Sequence, residues 1–366
     1  MNTTIPMSNN ESRHIIVVDT YGAASRLAPA FHAAGYTTIR VQSTPAVPKV
    51  YRGRPDPFPF VADIVHRGDL VDTLNALLPF DPVAVIPGCE PGVELADALS
   101  EALNPLTGAP TNGTALSSAR RNKYEMIERI KQQGLRGARQ ILVESEDQLR
   151  EWHTELSGMA ILKPLRSSSN DAVTWCRTPD DSVRAFRRLN GRENINSEAG
   201  DGHVEIKMTP DGPCLVEVGA RMAGQDVPGY AALAIEESQV DWMVDAYVRP
   251  HLFKQRRGHP YRLHRSIAWA KKVAPLSGML VSYRGLQAIK ELESFRDIRF
   301  QVHPGQRLAR TVDDSTYPVT VTLLHEVADI LLRDLWTLRY IDGEHFYELA
   351  DDTESDHRNT LKGITS

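Results

Sequence analysis

"HVEIKMTPDGPCLVEVGAR", residues 203–221, holds two short alternating runs joined by turn chemistry. Residues 203–208 and 214–221 each alternate polar and apolar side chains, the period of a half-buried strand. Between them, Pro210 presets the φ of a turn's first central residue, Asp211 suits the second, and Gly212 accepts the left-handed position that follows. That order predicts a hairpin with a three-residue loop and a glycine bulge. In that register Glu205 faces Glu217, His203 faces Gly219, and Lys207 faces Leu215. Val204, Ile206 and Met208 share the opposite, wholly apolar face with Val218, Val216 and Cys214. One face builds core and the other carries chemistry.

Directly opposed residues have Cβ atoms about 5 Å apart, and like charges there are destabilising. A hard divalent cation such as Mg²⁺, with Mn²⁺ as the alternative, would compensate, because it takes carboxylate oxygens together with substrate phosphates. Arg221 shares the parity of Glu217 and suits a bidentate grip on phosphate or carboxylate. The competing reading is a solvated polar face softened by Lys207.

The 366 residues suffice for two or three domains. A net charge of −5 supplies no basic field for nucleic acid or membrane, and no apolar run is long enough to span a bilayer. "MNTTIPMSNNESRH" reads as a frayed tail without a signal peptide's hydrophobic segment. Cys89, Cys176 and Cys214 lack metal-ligand spacing and read as free thiols of a cytoplasmic protein. HExxH, GxSxG and the Walker A lysine loop are absent, so hydrolase triads and P-loop chemistry are unsupported.

Residues 14–41 read as strand, helix, strand; "VAVIPG" (83–88) is a further buried strand, and "GVELADALSEAL" a helix. The alternation predicts a parallel sheet covered on both faces. Its first turn has only Gly22, so the dinucleotide fingerprint is missing. Residues 108–122 read as a connector. "KYEMIERIKQQG" follows as a helix, "ARQILV" as a strand, and "SEDQLREWHTEL" as a helix opened by an S-x-x-Q capping box. "MAILKP" is a strand ending in Lys163-Pro164, followed by the loop "LRSSSND", the strand "AVTWCR" and the helix "PDDSVRAFRRLN". Residues 229–250 look helical. From about position 251, short strands alternate with turns and a helix occupies 324–335.

Lys123 at a helix start, Lys163 before a serine-rich loop, and the paired-glutamate segment ending in "EVGARMAG" together resemble the ATP-grasp superfamily, in particular its amino-acid ligases. "VAVIPGCEPGVELADALSEAL", "RRNKYEMIERIKQQGL" and "IAWAKKVAPLSGMLVSYRGLQAI" extend the likeness along the chain. The resemblance implies α/β and α+β architecture. A Rossmann-like pre-ATP-grasp domain would take residues 1–115, a nucleotide- and metal-binding region 116–250, and a carboxylase-like α+β domain 251–366. Lys123 and Lys163 would contact ATP phosphates beneath a flap of Ser167, Ser168 and Ser169. Glu205 and Glu217 would hold Mg²⁺ (or Mn²⁺), and Arg221 would bind the acyl phosphate or the attacking carboxylate. Gly219 stands where many relatives carry a metal-binding asparagine, as in the amino-acid-ligase variant of the motif. Glu90, His203 and Gly224 lie where substrate would bind, although Glu90 and His203 read better as structural residues.

The family continues, after the helix ending near Asn190, into an apolar strand that carries the adenine-contacting hinge. Here "GRENINSEAGDG" (191–202) stands instead. A segment omitted from the chain, a natural shortening with loss of nucleotide binding, or an adenine site rebuilt from elsewhere would each account for it. The implied activity is ATP-dependent amide-bond formation between two amino acids through an acyl phosphate. The alternatives are a binding module without turnover and a bicarbonate-using carboxylase-type member. The expected partners are small amino acids, with a homodimer as the default assembly.

Overall fold

The structure, a computed structural model, describes residues 13–52, 56–166, 172–191, 202–205, 219–313 and 316–350, with positions 50 and 202–205 described by their backbone alone. Contacts divide the chain into two compact units, Met1–Ala232 with Glu237–Pro260, and Leu233–Glu236 with Tyr261–Ser366.

The first unit opens with β1 (His14–Val18), α1 (Leu27–Ala33), β2 (Thr37–Gln42), β3 (Asp63–Val65), α2 (Leu70–Leu77), β4 (Pro82–Pro87) and α3 (Val93–Thr107). The strands form a parallel sheet in the order β3-β2-β1-β4. Ile15 and Val17 pack with Leu27 and Phe31 on one face. Ile16, Val18 and Ile39 pack with Leu77, Leu99 and Leu103 on the other. Both faces are covered, as a parallel sheet requires. The chain runs from β1 to β2 on one side and later returns to β4 on the other. The ends of β1 and β4 therefore flank the crevice where ligands gather in such sheets.

Next come α4 (Ser117–Arg121), α5 (Lys123–Gln132), β5 (Gln140–Leu142), α6 (Glu146–Leu156), β6 (Ala160–Pro164), β7 (Thr174–Cys176), α7 (Pro179–Leu189) and β8 (Gly202–Glu205). The expected connector over 108–122 contains a helix, α4, too short for any hydrophobic period to reveal. Asn122 caps α5 by accepting the N–H groups of Tyr124 and Glu125. Ser145 accepts from Gln148 N–H, but the Gln148 side chain bonds Glu144 N–H, so the expected capping box is only half made. Thr178 and Asp181 complete a full box at α7.

The antiparallel sheet runs β5-β8-β6-β7. Ala160, Leu162 and Cys176 pack with Leu149, Ala185, Phe186 and Leu189, so α6 and α7 cover one face. The other parity holds Lys163 and Ile161 of β6. Across the β6–β8 ladder Lys163 pairs with His203 and Ile161 with Glu205; across β5–β8 Leu142 pairs with His203 and Gln140 with Glu205. This corrects the expected hairpin register. The hairpin reading assumed one partner strand, but β8 sits between two. Both of its edges are bonded, so the ladder neighbours of Glu205 are Gln140 and Ile161. Glu217 itself lies outside the described residues.

The single helical span expected over 229–250 is two helices, α8 (Val227–Ile235) and α9 (Gln239–Val248), followed by α10 (Pro250–Arg256). Glu236 takes a left-handed φ of 62°, and Ser238 starts α9 with a capping box to Asp241. Val240 and Val244 of α9 join the core beneath β1.

The second unit contains β9 (Ser266–Lys272), β10 (Gly278–Tyr283), α11 (Leu286–Lys290), β11 (Phe295–Phe300), β12 (Arg307–Leu308), β13 (Val319–His325), α12 (Ala328–Tyr340) and β14 (Tyr347–Leu349). Its sheets run β11-β13-β9 and β12-β10-β14, an α+β arrangement. The helix expected at 324–335 begins later, because residues 319–325 form the central strand of the first sheet, with Val319, Val321 and Leu323 fully buried.

Removing the α7 cap with Thr178→Ala should cost about 1 kcal/mol, because one helix-terminal N–H loses its acceptor. Denaturant unfolding should show a lower midpoint with an unchanged slope.

Candidate active site

Beyond β1 and β4 the backbones nearly touch. Gly88 N–H donates to Val18 O at 2.8 Å. A Cβ at Gly88 would lie 2.2 Å from Asp19 O, and one at Gly92 would lie 2.9 Å from Asp19 Oδ2. Glycine is required at both places because no side-chain carbon fits. Asp19 is buried in a left-handed conformation with φ of 61°. Ser43 donates to it from its backbone N–H (2.8 Å) and its hydroxyl (2.5 Å). Burial raises the Asp19 carboxyl to about 6, against the opposing pull of Ser43 and of the Arg121 charge. Thr20 Oγ1 and the Tyr21 hydroxyl are buried without hydrogen-bond partners among the described residues. Polar capacity therefore remains at this end of the sheet.

Glu90 follows β4 and is also buried. Its Oε2 accepts from Arg221 Nε at 2.7 Å, and its Oε1 lies 3.5 Å from Arg121 Nη1, which also donates to the Glu90 carbonyl. Arg121 is 2% exposed, a guanidinium placed fully inside the protein. Next to Glu90, burial drives the Cys89 thiol well above its ordinary range, and Tyr51, hydrogen-bonded to Cys89, is shifted upward for the same reason. Arg221 also donates to Met222 O at 2.7 Å. Gly224 lies beside it: a Cβ there would be 3.9 Å from Arg221 Nη1. Gln225 and Asp226 follow with φ of 55° and 66°, a strained pair of the kind that recurs at functional loops.

Lys123 and Lys163 are each only 5% exposed. Lys123 N–H donates to Leu165 O at 3.1 Å, which ties the start of α5 to the end of the strand carrying Lys163. Arg166 grips Glu94 of α3 through both guanidinium nitrogens, each at 3.0 Å. Together these contacts attach the end of β6 to the helix that begins just past Glu90.

The structure thus gathers Glu90, Arg221 and Gly224, and ties Lys123 to the strand of Lys163. It places His203 across the ladder from Lys163. Ser167, Ser168, Ser169 and Glu217 lie outside the described residues, and Glu205 and His203 are described by their backbone alone. No group of three metal-ligating side chains occurs among the described residues. Sequence reasoning missed Asp19, Arg121 and Arg166. A groove of about 560 Å³, lined in part by Tyr124, Gln140, Glu144, Glu151, Trp152 and Glu155, lies along β5 and α6. Its acidic wall suits no polyphosphate.

Known structures share this architecture. An L-amino acid ligase from Bacillus licheniformis superposes with a TM-score of 0.66 over 94% of this chain and 100% of its own, at 12% identity. An N5-carboxyaminoimidazole ribonucleotide synthetase in complex with ADP (TM-score 0.54, 14% identity) covers 90% of this chain and 96% of its own. The fold is ATP-grasp. No protein-family model matches the chain. In sequence the chain is similar to dapdiamide A synthase of Enterobacter agglomerans, 26% identical over 434 aligned positions that take in 93% of this chain and 98% of the relative. Since 93% of 366 residues is about 340, the relative carries on the order of 90 positions that this chain lacks. No helix of the described residues is long and apolar enough to cross a membrane.

Because the Asp19 carboxyl is raised above its ordinary 3.8, the folded protein holds more protons than the unfolded chain between that value and about 6. Stability therefore falls as pH rises through this window. Asp19→Asn keeps an acceptor for Ser43 and removes the titration. Its stability relative to wild type should grow by on the order of 2–3 kcal/mol from about pH 4 to pH 7, read from denaturant midpoints. Gly88→Ala should destabilise at every pH, by about 2 kcal/mol or more.

Proposed function

We propose that the protein is an ATP- and Mg²⁺-dependent carboxylate–amine ligase that joins two amino acids. The observation that carries this reading is that two buried lysines are tied together through Leu165, while Arg166 at the same strand end holds Glu94, just past the Glu90 that Arg121 and Arg221 contact. Phosphoryl transfer is catalysed chiefly by positioning and electrostatics, which cationic side chains held in place supply.

Lys123 and Lys163 bind the phosphates of ATP, with Ser167, Ser168 and Ser169 closing over them. Arg221 holds the carboxylate of the first amino acid, and Glu90 and Gly224 line its site beside His203. A carboxylate oxygen attacks the γ-phosphorus and ADP leaves, giving an acyl phosphate. The amine of the second amino acid then attacks the acyl carbon, an amide C–N bond forms, phosphate departs and the amine loses a proton. Two easier steps replace one difficult displacement. Glu205 and Glu217 would supply carboxylates suited to Mg²⁺. The cation when bound offsets charge on the transferring phosphoryl group. Similarity to a dapdiamide A synthase and to an L-amino acid ligase supports this choice of chemistry.

A second reading, a binding module without turnover, draws on the short segment at 191–202 and the positions present in the relative but not here. Phosphate release from MgATP across a grid of amino-acid pairs separates the readings. Release only with suitable pairs supports the ligase, silence from a folded protein supports the module, and dependence on bicarbonate supports the carboxylase-type alternative. For the ligase, Lys163→Ala should lower kcat by about 100-fold or more while leaving the unfolding midpoint within about 1 kcal/mol of wild type.

A further inference from the structure

We infer that Arg121 is a positioning residue: it fixes Glu90 and, through Glu90, the guanidinium of Arg221. The inference relies on the proposed ligase function only for what Arg221 grips. Four charges alternate in sign along one buried path. Asp19 lies at the end of β1, Arg121 at the end of α4, Glu90 after β4, and Arg221 on the segment leading to α8. Arg121 contacts both the carbonyl and the carboxylate of Glu90, so it sets the backbone and the side chain of that residue together. The other carboxylate oxygen of Glu90 is the acceptor for Arg221 Nε. The only other polar contact of Arg221 among the described residues is with its neighbour Met222 O. Its aim thus depends on Glu90, and that of Glu90 on Arg121.

The groups facing Glu90 are Arg121, Arg221, Cys89 and Tyr51, with Asp19 behind Arg121. Burial keeps Cys89 and Tyr51 protonated across the useful pH range. Asp19 is the acid whose carboxyl the Arg121 charge helps to hold down. Without Arg121, Glu90 loses the contacts that fix its carbonyl and its carboxylate together, and with them the aim of Arg221.

The test is calorimetric binding of MgATP, and of amino acids with MgATP present, to the full chain for wild type, Arg121→Met and Arg121→Lys. Phosphate release is recorded in parallel. Arg121→Met should weaken amino-acid binding about tenfold or more while leaving nucleotide binding within about twofold of wild type. Arg121→Lys keeps the charge but loses the planar fork, so it should restore only part of the affinity. If Arg121→Met does not fold, Arg121→Lys alone decides: undiminished affinity overturns the inference. So does wild-type-like amino-acid affinity in Arg121→Met, or equal weakening of nucleotide and amino-acid binding. Wild type that binds amino acids without releasing phosphate overturns the ligase reading and leaves the inference standing. Pair-dependent release with wild-type-like variants does the reverse, and wild type that binds no amino acid overturns both.

Discussion

The structure depends on a charge constraint at the closed end of a parallel sheet. Four ionisable side chains, Asp19, Arg121, Glu90 and Arg221, come together where β1 and β4 end, and three of them are buried almost completely. Isolated charges there would be too costly, and the arrangement is tolerated because the signs alternate. The alternation in turn demands close backbone approach. Gly88 and Gly92 allow Asp19 to fold back against the β4 turn, where any side-chain carbon would strike its carbonyl or carboxylate. Core packing of the sheet, the two glycines and the polar chain are therefore one connected requirement, and Lys123 is attached to it two residues beyond Arg121.

Much of the scaffold could be read from pattern. The runs "HIIVV" and "VAVIP" lack alternation because both faces of that sheet are covered, and they are parallel strands. "MAILKP" kept its lysine at the strand's end, and Lys163 is there, buried. Other features had no local signature. α4 is too short to show a period, and 319–325 carried residues as compatible with a helix start as with a central strand. The hairpin was read from excellent turn chemistry, yet turn chemistry reports only on residues adjacent in sequence. The partners of Glu205 are Gln140 and Ile161, more than forty residues away in the chain, and no local rule could name them.

The site was legible by halves for a similar reason. Lys123, Lys163, Arg221, Glu90 and Gly224 stood out by motif, and the described contacts gather Glu90, Arg221 and Gly224 while tying the two lysines' elements together. Asp19 and Arg121 looked like ordinary charged residues at element ends, where solvated side chains are the rule. Their role follows from burial, which sequence composition does not report. Glu90, read from sequence chiefly as a structural residue, joins two arginines through its carboxylate.

The chemistry proposed for this end of the sheet makes a carboxylate oxygen the nucleophile toward ATP. That oxygen must end in the released phosphate. The most direct measurement is mass spectrometry of phosphate after turnover of MgATP with an amino acid whose carboxylate carries ¹⁸O. The account predicts one labelled oxygen per phosphate, dependent on the presence of the second amino acid. Unlabelled phosphate, or release of AMP and pyrophosphate in its place, would contradict it.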